Sequence, residues 1–174
     1  MKFARTTSAI AILIPILLGS CQDFNSAMTP ASKVTTDAFD GSKIVSQEPV
    51  SSSASLTEDW HTLGFDYTSK SPDKVFITAG VQGINNVFGL DFNVGSRMIH
   101  AQEASLTTEY GAWSTRRFYV SYKDFISIAI ASSVKMKVSG ANQYGVSSFG
   151  TSTGALVNKQ FPPFLQKLQA ARSN

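Results

Sequence analysis

Apolar residues alternate with polar ones along much of the chain from residue 60 onward, and this alternation predicts β-strands. In "WHTLGFDYTS", Leu63, Phe65 and Tyr67 occupy every second position, so their side chains would share one face of a strand. The segments with this pattern, or with a β-rich apolar run, are "WHTLGFDYTS", "KVFITAGVQG", "VFGLDFNVG", "RMIHA", "RRFYVSY", "VKMKV" and "QYGVSSF". The third of them would bury Phe88, Leu90, Phe92 and Val94. Turn residues between the segments favour an antiparallel arrangement.

The pattern changes to a helical period between residues 121 and 131. Ser121 and Asp124 stand three positions apart, close to the spacing of a capping box at a helix start. The apolar residues that then fall on one helical face are Tyr122, Phe125, Ile126, Ala129 and Ile130. A strand is the competing interpretation, because Ile126, Ile128 and Ile130 also alternate. The cap and the wider stripe favour a short helix inserted between strands.

A second helix is predicted at the C-terminal end. Pro162 and Pro163 suit the first turn of a helix, where a missing N–H group breaks no intrahelical bond. The apolar stripe of this helix consists of Phe161, Phe164, Leu165 and Leu168. These elements predict an α+β, β-rich fold: an antiparallel sheet or sandwich with one short inserted helix and a C-terminal helix. We expect the stripe to pack on the sheet.

Residues 21–57 have the composition of a tether in front of a β-rich globular domain over residues 58–174. Of the 36 residues from 22 to 57, 12 are Ser or Thr, a composition that buries little apolar surface. Residues 34–46 stand apart, because Phe39, Ile44 and Val45 flank a turn signal at Asp40-Gly41. This stretch either belongs to the tether or forms a hairpin that adds an edge to the main sheet.

The first 20 residues have the organisation of a secretory signal peptide. Lys2 and Arg5 form a short positive head, and the apolar run "AIAILIPILL" follows at residues 9–18. Its ten residues, at about 1.5 Å rise each, cover about half of a ~30 Å hydrocarbon core, so a membrane-spanning helix is not expected. Pro15 within the run weakens a long helix further.

The signal ends at the only cysteine of the 174 residues. The sequence Leu18-Gly19-Ser20-Cys21 resembles the lipobox of bacterial lipoproteins, with a branched apolar residue, two small residues and Cys. The resemblance covers residues 1–21 and implies that the Cys21 thiol carries a diacylglycerol and that cleavage occurs before it. It also implies acylation of the new amine, with chains such as palmitate. An ordinary secreted protein with a free thiol is the alternative.

The lipobox resemblance further implies a place in the cell. A lipidated cysteine carries at least two acyl chains, and stable attachment needs more than one. The residue after Cys21 is Gln22 rather than Asp, which favours the outer membrane with the domain facing the periplasm. We therefore expect a lipid-anchored protein of the cell envelope.

Charge excludes one class of partner once the signal is set aside. Without residues 1–20, which contain Lys2 and Arg5, 13 of the 15 basic residues face 12 acidic ones. This near-neutral balance offers no basic footprint for nucleic acid, and export argues against that partner as well. A domain of this length can bury a sufficient core without disulfides or metal.

The sharpest candidate for catalysis is "GTSTG" at residues 150–154, which fits the G-x-S-x-G nucleophile elbow with Ser152 as nucleophile. That fold needs an acid and then a histidine after the serine, and no Asp, Glu or His follows residue 152. The order His, Asp, Ser would use His61 or His100 with Asp124 and Ser152. Asp124 is better explained as a helix cap, and both histidines as strand ends at the surface. The protein is therefore expected not to be an enzyme.

No metal or cofactor site is predicted. Two histidines 39 residues apart, without a free cysteine, do not form a zinc-ligand pattern. The sequence "GVQG" at residues 80–83 lacks the Lys and the helix start of a phosphate loop. Arg116 and Arg117 could meet a phosphate or a carboxylate, but a charge pair at a strand edge, which discourages aggregation, explains them better.

The last third of the chain, with its "YKDF" helix, "VKMKV" strand and closing helix, resembles uncharacterised β-rich domains of bacterial envelope proteins and implies no known activity. The sequence favours a membrane-anchored lipoprotein whose non-enzymatic domain contacts another envelope protein. A small-ligand-binding lipoprotein is the alternative, and a hydrolase using Ser152 is the third hypothesis. An aromatic-lined cavity would favour the ligand, and a large exposed apolar patch would favour the protein partner.

Overall fold

Two antiparallel sheets with a shared apolar core make up the computed structural model, which describes residues 29–83, 85–141 and 143–173. The strands of these residues are β1 (Lys33–Thr36), β2 (Lys43–Ser51), β3 (His61–Thr68), β4 (Lys74–Gln82), β5 (Val87–Val94), β6 (Arg97–His100), β7 (Gln102–Glu103), β8 (Trp113–Ser121), β9 (Val134–Gly140) and β10 (Tyr144–Phe149). The first sheet has the order β1-β2-β3-β4-β8-β7, and the second has the order β10-β9-β5-β6. The predicted β-rich fold is confirmed.

The seven segments predicted as strands form β3, β4, β5, β6, β8, β9 and β10. Their alternation reflects burial, since Leu63, Phe65 and Tyr67 are each at most 1% exposed. In β5 the predicted inward face is wrong at its first position, because Val87 is buried whereas Phe88 is 45% exposed. The pairing of β5 with β9 shifts register between Val87 and Gly89. Such a bulge inserts one residue and turns the preceding side chain to the other face.

Strands β1 and β2 form an antiparallel hairpin around Asp40-Gly41, and β2 also pairs with β3. Val45 of β2 is fully buried. The buried Gln47 accepts a hydrogen bond from Ser32 Oγ (2.7 Å) and donates one from Nε2 to the carbonyl of Pro30 (2.8 Å). The structure therefore places residues 33–51, within the segment predicted as a tether, in the first sheet. A few buried apolar side chains, such as that of Val45, hold this segment in the sheet although its composition is rich in Ser and Thr.

The inserted helix α1 (Tyr122–Ile130) confirms the helical interpretation of residues 121–131. Ser121 caps it, because its Oγ accepts a hydrogen bond from the Asp124 amide (3.1 Å). The predicted stripe is wrong at one end: Phe125, Ile128 and Ala129 are buried, whereas Ile130 is 64% exposed. The chain turns extended at Ala131, so Ile130 lies where the helix leaves the core.

The closing helix α2 (Phe161–Arg172) follows a 3₁₀ turn over Leu156–Lys159 and begins with prolines in its first turn. Phe161, Phe164 and Leu168 are buried, and Leu165 is half-buried against the core. The Phe161 and Phe164 rings lie 4.9 Å and 5.6 Å from the Phe65 ring of β3, measured between centroids. The prediction that the stripe packs on the sheet is confirmed.

The predicted signal peptide and Cys21 fall within residues 1–28, which lie outside the described residues. In the part of the chain that the structure does describe, no helix has both the length and the apolar character needed to cross a membrane.

Candidate functional site

A cavity of about 250 Å³ opens at one end of the two sheets. Its wall comes from the residues before β3, the end of β4, the start of β5 and the turn between β9 and β10. The polar side chains in this wall are Asp59, His61, Gln82, Asn85 and Gln143. Trp60 and Tyr144 are 50% and 67% exposed, so they form its mouth, and buried Val81, Val87 and Val138 form its floor.

Two carboxylates hold the mouth of the cavity in place. Strand β10 is an edge of the second sheet as far as the described residues go, and Asp59 Oδ2 accepts a hydrogen bond from the Val146 amide on that edge (2.8 Å). Glu58 Oε2 accepts one from the Ser148 amide (3.0 Å). Without such contacts, the unpaired N–H and C=O groups of an edge strand can form hydrogen bonds with another chain. The segment that carries Trp60 is thereby fixed across both sheets.

Hydrogen bonding also sets the ionisation of Glu58. Partial burial acts to raise the pKa of this carboxyl, but hydrogen bonds from the side chain and amide of Ser148 and from the amide of Ala54 outweigh it. The pKa of Glu58 therefore lies below its ordinary value, and the side chain is an anion at neutral pH.

His61 lies between the sheets and is only 2% exposed, so its prediction as a surface strand end is wrong. Its Nδ1 is 3.0 Å from Ser147 Oγ of β10. The opposite edge of the ring lies against Gly145 in the cavity wall, and Nε2 has no hydrogen-bond partner among the described residues. Burial lowers the pKa of His61, and the charges of Asp59 and Glu58 only partly oppose this.

The cavity wall needs glycine at two places. A Cβ on Gly145 would lie 2.6 Å from His61 Nε2, and a Cβ on Gly140 would lie 2.4 Å from Asn85 Oδ1. Both distances are far shorter than van der Waals contact. The glycines therefore let the imidazole and the amide approach the backbone that closes the cavity.

The neutral His61 makes stability depend on pH. Because its pKa is lower in the folded than in the unfolded chain, stability is complete above the ordinary value of ~6.5 and decreases as pH falls through it. We expect the melting temperature to fall as the pH is lowered from about 7.5 to 5.5. In this range His61 lowers the free energy of unfolding by at most about 1.4 kcal/mol per pH unit. His61→Gln should flatten this decrease.

His100→Gln is the matched control for the pH prediction, because His100 is exposed and its Nδ1 is 2.7 Å from Asp91 Oδ1. It should retain the wild-type decrease over the same pH range, measured by thermal unfolding. An equally steep decrease in His61→Gln would contradict the assignment to His61.

The residues named for catalysis are not brought together. Ser152 is exposed, and its Oγ donates to the carbonyl of Ser132 (2.5 Å). Asp124 lies in the first turn of α1, where its Oδ2 accepts a hydrogen bond from Ser121 Oγ (2.7 Å) and its carboxylate forms an ion pair with Arg97. The histidine–serine pair that the structure does contain is His61 with Ser147, 86 residues apart in the chain. Ser147 is fully buried, so a substrate carbonyl cannot reach its Oγ.

The strand-edge interpretation of the arginine pair is wrong, because β8 lies between β4 and β7. Arg116 points inward, is 8% exposed, and donates to the carbonyls of Val87 (2.9 Å) and Ser105 (3.1 Å) and to Glu103 Oε2 (2.8 Å). Arg117 points outward and pairs with Asp66 at 3.2 Å. Adjacent residues of a strand face opposite sides, so the two arginines have different roles.

Among the residues that the structure describes, no group of three or more His, Cys, Asp or Glu side chains is placed to hold a metal ion. The cavity contributes one histidine and one carboxylate, from His61 and Asp59. Sequence reasoning missed this cavity, since its wall comes from residues in or next to five strands, β3, β4, β5, β9 and β10. The adjacent aromatic, acidic and imidazole side chains of residues 59–61 were the one local signal.

No family model matches the chain, and no curated protein or solved structure gives a significant match to it. Its function therefore has to be inferred from the residues and their geometry.

Proposed function

We propose that this protein is a lipid-anchored lipoprotein of the bacterial envelope that holds a non-enzymatic binding domain next to a membrane. The observation that carries the proposal is the Leu18-Gly19-Ser20-Cys21 sequence at the end of the apolar run. Acyl chains on Cys21 would insert into the bilayer, at roughly 0.8 kcal/mol for each buried CH₂ group. Gln22 after the cysteine favours the outer membrane with the domain facing the periplasm.

The position of the domain limits its distance from the lipid. The chain is tied to the sheet at Pro30, whose carbonyl accepts the bond from Gln47. Nine residue steps separate Cys21 from Pro30. At a maximum of about 3.5 Å per residue, they reach at most ~30 Å. The domain would therefore begin within ~30 Å of the membrane surface.

The cavity supports a binding role for the domain and favours a small ligand, because exposed aromatic rings and several polar residues line it together. An envelope protein is the second candidate partner. The Asp124 carboxylate contacts Ser121 and Arg97, and the Ser152 hydroxyl contacts Ser132, which supports a non-enzymatic role.

The anchor is tested by changing Cys21→Ser and labelling cells with a radioactive fatty acid. The variant should lose the label completely and accumulate as an unprocessed precursor, because serine provides no thiol for the diacylglycerol. Ser26→Ala, five residues further along, is the control and should be labelled and processed like the wild type. Undiminished labelling of the Cys21→Ser protein would refute the lipobox assignment.

A further inference from the structure

The cavity wall does not favour an anionic ligand. Among the described residues that line it there is no Lys or Arg, and its single carboxylate, Asp59, already accepts the Val146 amide. A phosphate or carboxylate group would find no opposite charge there. Lys137, which does not line the cavity, lies over the Tyr144 ring at 5.8 Å and pairs with Asp91 at 3.1 Å.

The polar groups in the wall suit a ligand rich in hydroxyls. The side-chain amides of Gln82, Asn85 and Gln143 each offer both donors and an acceptor, and none has a hydrogen-bond partner among the described residues. His61 adds Nε2, which donates or accepts according to its tautomer. Hydroxyl groups both donate and accept, so they match this set of amide, imidazole and carboxylate groups.

The mouth suits a ligand with an apolar face. Trp60 and Tyr144 are 50% and 67% exposed, so a ligand at the mouth could cover their rings and remove apolar surface from water. Pyranose rings carry C–H groups on their faces and hydroxyls around their edges. Such a ring can lie on an aromatic side chain while its edge reaches polar groups deeper in the site.

Two residues of the site, Asp59 and His61, are held in place before any ligand arrives. Asp59 is fixed by the Val146 amide, and its carbonyl accepts a hydrogen bond from Ser53 Oγ (2.6 Å). His61 is held by Ser147. A site whose side chains are already ordered loses less conformational entropy on binding.

We propose that this cavity binds a neutral saccharide, with one sugar ring on Trp60 and Tyr144 and its hydroxyls on Asp59, His61 and the wall amides. The volume of about 250 Å³ is below the ~300–1,000 Å³ of sites for drug-sized ligands, so the enclosed part of the ligand is small, a single ring. The open mouth lets further units of an oligosaccharide extend into solvent. This inference rests on the proposed binding role of the domain and is independent of the lipid anchor.

The test is isothermal titration calorimetry on the full-length protein, purified in a detergent without a sugar headgroup. The probes are oligosaccharides of glucose and of N-acetylglucosamine, each of two to four units, with adenosine as a flat heteroaromatic comparison. At least one saccharide series should bind, and Trp60→Ala and Tyr144→Ala should each weaken that binding at least about tenfold, or ~1.4 kcal/mol. Tyr144→Phe keeps the ring and should lose less than Tyr144→Ala.

Phe39→Ala is the matched control, because Phe39 is an aromatic residue that is 95% exposed in the β1–β2 turn, away from the cavity. It should bind the saccharide like the wild type, and circular dichroism should show native structure in all variants. The proposal is overturned if neither series binds, if both aromatic substitutions leave the affinity unchanged, or if adenosine alone binds. None of these results would affect the fatty-acid labelling that tests the anchor.

Discussion

Replacing Phe164 with alanine should lower the free energy of unfolding by about 3–5 kcal/mol, the usual cost of removing a buried phenylalanine ring. Phe164 is fully buried, and its ring centroid lies 5.6 Å from that of Phe65 and 5.5 Å from that of Phe125. These three residues come from α2, β3 and α1, so the cavity left by the substitution would loosen both helices on the sheet. The loss is a large share of a typical stability of ~5–15 kcal/mol.

Urea unfolding followed by circular dichroism measures this loss. Phe39→Ala removes the same ring from an exposed position and should change the free energy of unfolding by less than about 0.5 kcal/mol. If Phe164→Ala left the stability unchanged, α2 would not be packed as described, and its stripe would instead be a surface for a partner.

Replacing Arg116 with methionine should lower the free energy of unfolding by about 2–4 kcal/mol, because it removes the donors that serve several partly buried acceptors. The guanidinium connects β8 to the start of β5 through the Val87 carbonyl. It also contacts Glu103 at the end of β7 and Ser105 in the loop between β7 and β8. Methionine keeps much of the side-chain volume, so the loss would come from hydrogen bonding rather than from an empty space.

Arg117→Met is the matched control one residue further along the same strand. Its ion pair with Asp66 is partly exposed, with 46% of the Arg117 side chain accessible, and such pairs contribute about 0–1 kcal/mol. The test is again urea unfolding, with limited proteolysis of residues 103–112 as a second measurement. Equal losses in the two variants would contradict the distinct roles assigned to the two arginines.

Periodicity was sufficient to locate most strands and both helices, because alternation and a helical stripe are local consequences of one buried face. It was insufficient where the sheet itself changes the backbone. The bulge between Val87 and Gly89 turns Phe88 outward, and Gly89 inside the strand is compatible with a bulge but does not fix where it occurs. Similarly, the position of Phe125 in the aromatic cluster decides which isoleucines of α1 are buried.

The sequence by itself determined the lipobox prediction at Cys21, the β-rich class of the fold and the positions of its helices, because each depends on residues within one short segment. Only the tertiary structure decided that His61 meets Ser147 and that Asp59 meets Val146, pairs that are 86 and 87 residues apart. Sequence spacing carries no information on which strand edges come together, and the cavity exists only where β10 closes against the residues before β3.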